Sequence, residues 1–325
     1  MSPNSQTRVS YLLFDGFSNM CLACAVEPLR AANNYAEAQL YRHQLVSLDG
    51  QPVQSSSGIT IQPSQSLSEL TNEDILFVVS GYNYKHYCDR KTLGAIRTAA
   101  RSAKVIGGLD TGAWLLAAAG LLDGYEATIH WQELTLFEEA FSDITLSLDR
   151  FVIDRNRITC GGATSALDLM LSQVRQDQGE ALALDVMNLF IYESHGQEHM
   201  SQRGARFAPF AARAPLVVAA LEEMEKNIEE PVATDEIARR VNTSARTLDR
   251  AFTKEIGIPP GRYYLYIRLK TARSLIAETS QSMAEIAART GFSSAATFSR
   301  AFTKQFGAPP RDFRRGRLSN APIRS

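Results

Sequence analysis

The chain has 325 residues, of which 45% are hydrophobic and 21% charged, with four cysteines and a net charge of −1. That length fits two domains, and the composition excludes disordered, collagen-like and disulfide-scaffold classes. No window reaches the roughly 18 uninterrupted apolar residues of a membrane span, and the N-terminus lacks a basic patch followed by an apolar run, so a cytoplasmic protein without membrane contact is expected.

The first half alternates between strand-like and helical patterns. Residues 8–14 (RVSYLLF) form a buried-strand run, and 19–36 a helical stretch. Short strands follow at 44–48 and 58–61, then the apolar run 74–80 (DILFVVS). A helix is expected at 93–103, a strand at 104–109 (KVIGGL) and a short apolar helix at 112–119. Residues 128–130 read as a brief extended piece and 131–141 as a helix. Strand-like segments come at 144–148, 151–153 and 158–160, then helices at 164–176 and 179–192. Apolar strands alternating with helices predict an open, mostly parallel sheet covered on both faces, a flavodoxin-like α/β domain over 7–193.

Residues 194–214 (SHGQEHMSQRGARFAPFAARA) are rich in small and polar types and read as a linker. Beyond them, over 215–317, only helical patterns occur: 216–228, 234–240, 245–255, 261–279, 283–288, 295–306 and 310–315. This all-α part contains an internal repeat. Residues 244–260 (SARTLDRAFTKEIGIPP) and 294–310 (SAATFSRAFTKQFGAPP) share 11 of 17 positions at an offset of 50. The preceding segments, DEIARRVN at 235–242 and AEIAARTGF at 284–292, also correspond. Each copy reads as a short helix, a turn, and a longer helix opened by a serine N-cap, which is helix-turn-helix grammar.

The second helix of such a unit enters the major groove N-terminus first. Leu248, Phe252 and Ile237 in the first copy, and Phe298, Phe302 and Ile286 in the second, are the expected internal contacts. The early positions left to meet bases are Arg246, Asp249 and Arg250, then Ala296, Thr297 and Arg300. Arginine pairs bidentately with guanine. Lys254, Lys304, Arg311, Arg314 and Arg315 lie further along and suit phosphates. Charge agrees: from Arg213 onward there are 19 Lys+Arg against 12 Asp+Glu, whereas residues 1–212 hold 15 against 23. A basic end on an acidic body suits a polyanion, although a solvated surface also produces such a balance.

Residues 215–317 resemble the DNA-binding domain of the AraC/XylS family of bacterial transcription regulators. The resemblance is carried by IARRVNTSARTLDRAFTKEIGIPPGRYYLYIRLKTARSLI and by IAARTGFSSAATFSRAFTKQFGAPPRDFRR. It implies two helix-turn-helix units joined by a long helix, here 261–279, that occupy successive major-groove segments. Promoter DNA, RNA polymerase and a second copy of the chain are the macromolecular partners it implies.

KVIGGLDTGAWLLAAAGLLDGYEATIHW, starting at residue 104, resembles the class I glutamine-amidotransferase-like superfamily, which includes PfpI-type proteases. AraC-type regulators with such a sensor domain form the GlxA-like subfamily, and the whole chain fits that layout. In enzymatic relatives a cysteine nucleophile sits on a sharp strand-to-helix turn with a histidine partner. The matching positions here are Asp110 and His130, and Glu27 matches an acidic residue that faces the turn in many relatives. With aspartate in place of the thiolate, the resemblance implies a binding pocket rather than an enzyme; an amidase or hydrolase tethered to DNA and a purely architectural protein are the alternatives. Open α/β sheets bind ligands beyond the carboxyl ends of their strands. Asp110 and Glu27, with Phe14, Tyr82, Asn83, His130 and Trp131 nearby, would favour a small cationic effector of the betaine, carnitine or arginine type. No cofactor or metal is expected. Cys21 and Cys24 read as buried helix cysteines or, alternatively, as a redox pair; His195 and His199 have metal-ligand spacing but no third ligand in reach by sequence.

Overall fold

The structure, a computed structural model, describes residues 6–192 and 214–315, and the chain divides into two compact units, residues 1–205 and 206–325. The expected linker, except Ala214, and His195 and His199 within it lie outside the described residues.

The first unit is a three-layer α/β/α structure. Its elements run β1 (Thr7–Leu13), α1 (Asn19–Tyr35), β2 (Tyr41–Ser47), β3 (Val53–Gln54), β4 (Thr60–Ile61), β5 (Gln65–Ser66) and β6 (Glu73–Ser80). They continue with α2 (Arg90–Ala100), β7 (Ala103–Asp110), α3 (Gly112–Ala118), β8 (Glu126–Ala127) and α4 (Leu134–Ala140). The last are β9 (Thr145–Leu146), β10 (Phe151–Asp154), β11 (Arg157–Cys160), α5 (Thr164–Gln178) and α6 (Glu180–Leu189). The seven-stranded sheet has the order β10-β11-β7-β6-β1-β2-β5. All its pairings are parallel except β10 with β11. This is the flavodoxin-like architecture expected from the alternating pattern.

The apolar runs are continuous because both sheet faces are covered. In β6, Ile75, Phe77 and Val79 point into the core beneath α1, α5 and α6. Leu76 and Val78 point into the opposite core with α2, α3 and α4. Side chains alternate faces along a strand, so a strand buried on both sides has no polar stripe. Several expected details differ. The segment 58–61 contributes only β4, which pairs with β3 in a separate two-stranded ribbon. The extended piece expected at 128–130 follows β8 without being a strand, and α4 begins at Leu134, three residues later than expected.

The second unit is helical throughout its described residues: α7 (Pro215–Lys226), α8 (Thr234–Arg240), α9 (Ala245–Ile256), α10 (Pro260–Glu278), α11 (Met283–Arg289), α12 (Ala295–Phe306) and α13 (Pro310–Arg314). The repeated serines act as N-caps. Ser244 accepts from the Thr247 N–H at 3.1 Å and Ser294 from the Thr297 N–H at 3.2 Å. Ile237, Leu248 and Phe252 are buried in the first copy and Ile286, Phe298 and Phe302 in the second. The repeat thus builds two helix-turn-helix units, α8–α9 and α11–α12, with α10 between them. No helix among the described residues is long and apolar enough to cross a membrane.

The first unit also holds a buried ion pair. Arg150 Nη2 lies 2.6 Å from Asp168 Oδ2, both side chains being less than 10% exposed. The Tyr192 hydroxyl donates to Asp168 Oδ1 at 2.5 Å, and Arg150 donates to Thr164 Oγ1 at 3.1 Å. Removing one partner leaves the other charge buried and uncompensated. Asp168→Ala should therefore destabilise this unit by about 3–5 kcal/mol, and Tyr192→Phe by about 1 kcal/mol. Urea unfolding of the two variants measures both effects; a larger loss for Tyr192→Phe would contradict this ordering.

Candidate functional site

Strand β7 ends at Asp110, whose backbone is left-handed with φ +60°. Helix α3 starts two residues later, so the chain turns sharply at the carboxyl edge of the parallel strands. The turn requires close backbone approach. A Cβ on Gly112 would lie 1.9 Å from the Val78 carbonyl oxygen, which leaves room only for glycine where α3 meets β6. Thr111 Oγ1 donates to the Gly81 carbonyl at 2.7 Å and ties the turn to the end of β6. The expected strand-to-helix elbow is present, with Asp110 at its apex.

The Asp110 carboxylate is packed beneath the loop that follows β11. A Cβ on Gly162 would lie 2.7 Å from Asp110 Oδ2. Burial pushes the Asp110 carboxyl up to about 7; the Thr111 N–H pulls it down, and the charge of Glu133 raises it further. Glu133 itself is 5% exposed and accepts from the Tyr84 hydroxyl at 2.6 Å. Burial raises its carboxyl, while the Tyr84 hydroxyl and the nearby Lys85 ammonium lower it. Lys85 Nζ stands 4.8 Å from the Trp114 ring centroid. Two acids therefore do share this region, but the second is Glu133.

Glu27 is not that acid. It forms an ion pair with Arg30 at 2.7 Å, and both side chains are more than 40% exposed. The reason is helical phase: six residues beyond Cys21, Glu27 lies about 120° round α1 from it. Cys21 is the α1 side chain whose electrostatic environment includes Asp110. Its thiol is pushed up by the neighbouring Cys160 thiol, then by burial and by the charges of Cys160 and Asp110, with the Ala163 backbone opposing. Cys21 is buried, as expected, and neighbours Cys160 on β11, whereas Cys24, its partner in the alternative redox reading, is half-buried; all four cysteines are free thiols.

The other expected pocket residues separate into core and rim. Phe14 is 2% exposed and packs on Tyr87 with ring centroids 4.7 Å apart, so it is core rather than lining. Tyr82 is 63% exposed, and Asn83 beside it is exposed with φ +62°. His130 and Trp131 are half-buried, with ring centroids 5.7 Å apart, and His130 Nδ1 accepts from the Gln132 N–H at 3.4 Å. Tyr84 is among the aromatics the sequence offered for this pocket, whereas Glu133 and Lys85 were not singled out from the sequence. The available signal for Glu133 was an acidic residue at the start of an apolar helix, three residues after His130. Among the described residues no group of three or more His, Cys, Asp or Glu side chains could hold a metal ion.

In the second unit Arg246, Asp249, Arg250 and Lys254 are exposed along α9, and Ala296, Arg300 and Lys304 along α12. Thr297 is half-buried, with its hydroxyl 3.0 Å from Ser294 Oγ, so it forms part of the cap. Lys254 contacts the adjacent Glu255 at 3.5 Å. Among the described residues, Arg246, Asp249, Arg250 and Arg300 form no ion pair within 4.0 Å, which leaves these charges to solvent or to a ligand.

The comparisons agree with both units. Residues 237–316 match the helix-turn-helix domain family and residues 7–176 match the DJ-1/PfpI family. The HTH-type transcriptional regulator GbdR of Pseudomonas aeruginosa is 38% identical over 315 residues, 97% of this chain and 86% of its own. The chain belongs to the GlxA-like AraC-type transcriptional regulators. The regulator GlxA of Rhizobium meliloti is 36% identical over 287 residues, 88% of this chain and 89% of its own. The crystal structure of an AraC family transcriptional regulator from Pseudomonas putida matches with a TM-score of 0.50 at 28% identity, over 57% of this chain and 99% of that one.

For this AraC-type regulator, the raised Asp110 carboxyl makes a signed prediction. An acid protonated in the folded state but ionised when unfolded lowers stability as pH rises between the two values. The native state should lose stability between about pH 4 and pH 7 on account of Asp110. Asp110→Asn removes that loss. Its melting temperature should exceed that of wild type at pH 8 and approach it at pH 4.5. A wild-type advantage at pH 8 would show that Asp110 is held ionised by a partner.

Proposed function

We propose that this regulator binds promoter DNA through its two helix-turn-helix units and takes up a small cationic effector at the Asp110 elbow, where it performs no covalent chemistry. One observation carries the effector class: Asp110 and Glu133 are both held above the usual carboxylate range, chiefly by burial, and the charge of Glu133 further opposes ionisation of Asp110. A cation between them relieves the desolvation cost of both. Lys85 serves only part of that need, since it lowers Glu133 and is not among the groups acting on Asp110. Quaternary ammonium or guanidinium compounds, of the betaine, carnitine or arginine type, have this chemistry.

The absence of covalent chemistry is supported by the elbow residue. Aspartate is a weak nucleophile toward amides, and the reactions it initiates need a better leaving group or a phosphoryl centre. The thiols near the elbow, Cys21 and Cys160, are buried, and the Cys21 thiol is pushed up rather than activated. A second copy of the chain and RNA polymerase are the protein partners this reading includes, and the relatives' designation as transcriptional regulators favours it over a DNA-tethered enzyme.

Calorimetry with matched ligands tests the effector class. A cationic ligand should bind wild type at least about tenfold more tightly than Asp110→Asn, about 1.4 kcal/mol, and its neutral isostere should not discriminate between them. Equal affinity of wild type for the two ligands would defeat the cation assignment. Gel shifts test the DNA reading. Affinity should fall steeply with salt as counterions are released. Arg250→Ala and Arg300→Ala should each cost about 1–3 kcal/mol on a cognate site, and Lys304→Ala should weaken all sequences alike.

A further inference from the structure

The two helix-turn-helix units share one framework and carry different chemistry on it. At equivalent positions of the two longer helices, α9 has exposed Arg246, Asp249 and Arg250, whereas α12 has Ala296, Ser299 and Arg300. The clefts beside the two helix starts differ in the same sense. The one at α9, about 300 Å³, is lined by Asp235, Arg246 and Asp249 among others. The one at α12, about 440 Å³, is lined by Arg311, Arg314 and Arg315 and by no acidic residue.

An exposed carboxylate on a groove-facing helix constrains what it can meet. Asp249 is repelled by phosphate, and in the major groove a carboxylate accepts from the cytosine N4 amino group. Arg246 and Arg250 lie three residues before it and one after, on the same side of α9, and neither pairs with it within 4.0 Å. Both guanidinium groups therefore remain available for guanine O6 and N7. On α12, Ala296 offers only a methyl group, which suits the thymine methyl, and leaves Arg300 as the arginine of that helix start. The three arginines around α13 have no base-like pattern and suit backbone phosphates.

We propose that the two units divide the work: the first selects G·C pairs through Arg246, Asp249 and Arg250, and the second selects a thymine-containing segment through Ala296 while holding the backbone through Arg311, Arg314 and Arg315. This rests on the DNA-binding reading above. The operator is then chemically asymmetric, with a G·C-rich block and a thymine-containing block about one helical turn apart.

The test is selection of bound duplexes from a random library with the full chain, its Asp249→Ala variant and its Arg311→Ala/Arg315→Ala double variant. Circular dichroism and melting temperature verify that each variant is folded. Wild type should enrich the two unlike blocks. Asp249→Ala should lose preference for cytosine at one position of the G·C-rich block, by about tenfold, and leave the other block unchanged. The double variant should keep the selected sequence, bind every duplex more weakly and show a salt slope shallower by about two. Two blocks of like composition, a changed thymine-containing block in Asp249→Ala, or a changed base preference in the double variant would each overturn the division of work. Failure to enrich any sequence at all would instead remove the DNA-binding reading on which it rests.

Discussion

Two side chains one turn apart on α10 hold the parts of the DNA-binding unit in place. The Tyr264 hydroxyl donates to the Asn227 carbonyl at 2.5 Å, at the end of α7. Four residues on, Arg268 donates to the carbonyls of Thr290 and Gly291 at 2.8 and 2.6 Å, where α11 ends. Its guanidinium carbon also lies 4.4 Å from the Phe292 ring centroid. The terminal carbonyls of a helix have no partner within it and carry its partial negative charge, so a half-buried cation satisfies both needs. Burial lowers the Arg268 pKa, but an arginine remains charged at any physiological pH. One helix is thereby tied to the end of α7 through its tyrosine and to the end of α11, the opening helix of the second helix-turn-helix, through its arginine.

Given such a frame, the duplicated sequence is free to diverge where it faces outward. The copies retain the serine cap and the buried Ile and Phe positions, with Leu248 exchanged for Phe298. That exchange is absorbed locally, since Phe298 packs on Phe292 and Phe302 at 5.4 and 5.5 Å. The exposed positions change charge without disturbing either core. Internal packing therefore accounts for what the repeat preserves, and the groove-facing chemistry for what it does not.

The same distinction explains how much was legible in the sequence. Strands buried on both faces, helices with capped starts and the duplicated hairpin are local patterns, and they appear close to their expected positions. The elbow was legible because GLDTG places a turn between an apolar strand and an apolar helix. The second acid was not. Glu27 shares a helix with residues that reach the elbow, but its angle round α1 turns it to Arg30 instead. Glu133 reaches the region through the loop between β8 and α4, and its spacing from His130 was the one local hint of that proximity. Phe14 directly follows β1, whose side chains alternate between two cores, and its side chain joins the packing under α2 and α3.

The elbow is held by contacts that place no chemical demand on the residue at its apex. The left-handed turn at residue 110 is held by Gly112 against Val78 and by Thr111 against Gly81, none of which depends on a thiol. Aspartate is among the non-glycine residues that enter the left-handed region most readily. Placing it there keeps the turn at little backbone cost but puts a charge-bearing acid in a half-buried position, packed against the loop after β11. The cost then moves from strain to desolvation, which is the source of the raised Asp110 carboxyl. A group whose ionisation is opposed by its surroundings gains most from an incoming counter-charge, and this is the physical basis on which the function proposed above assigns a cation to the elbow.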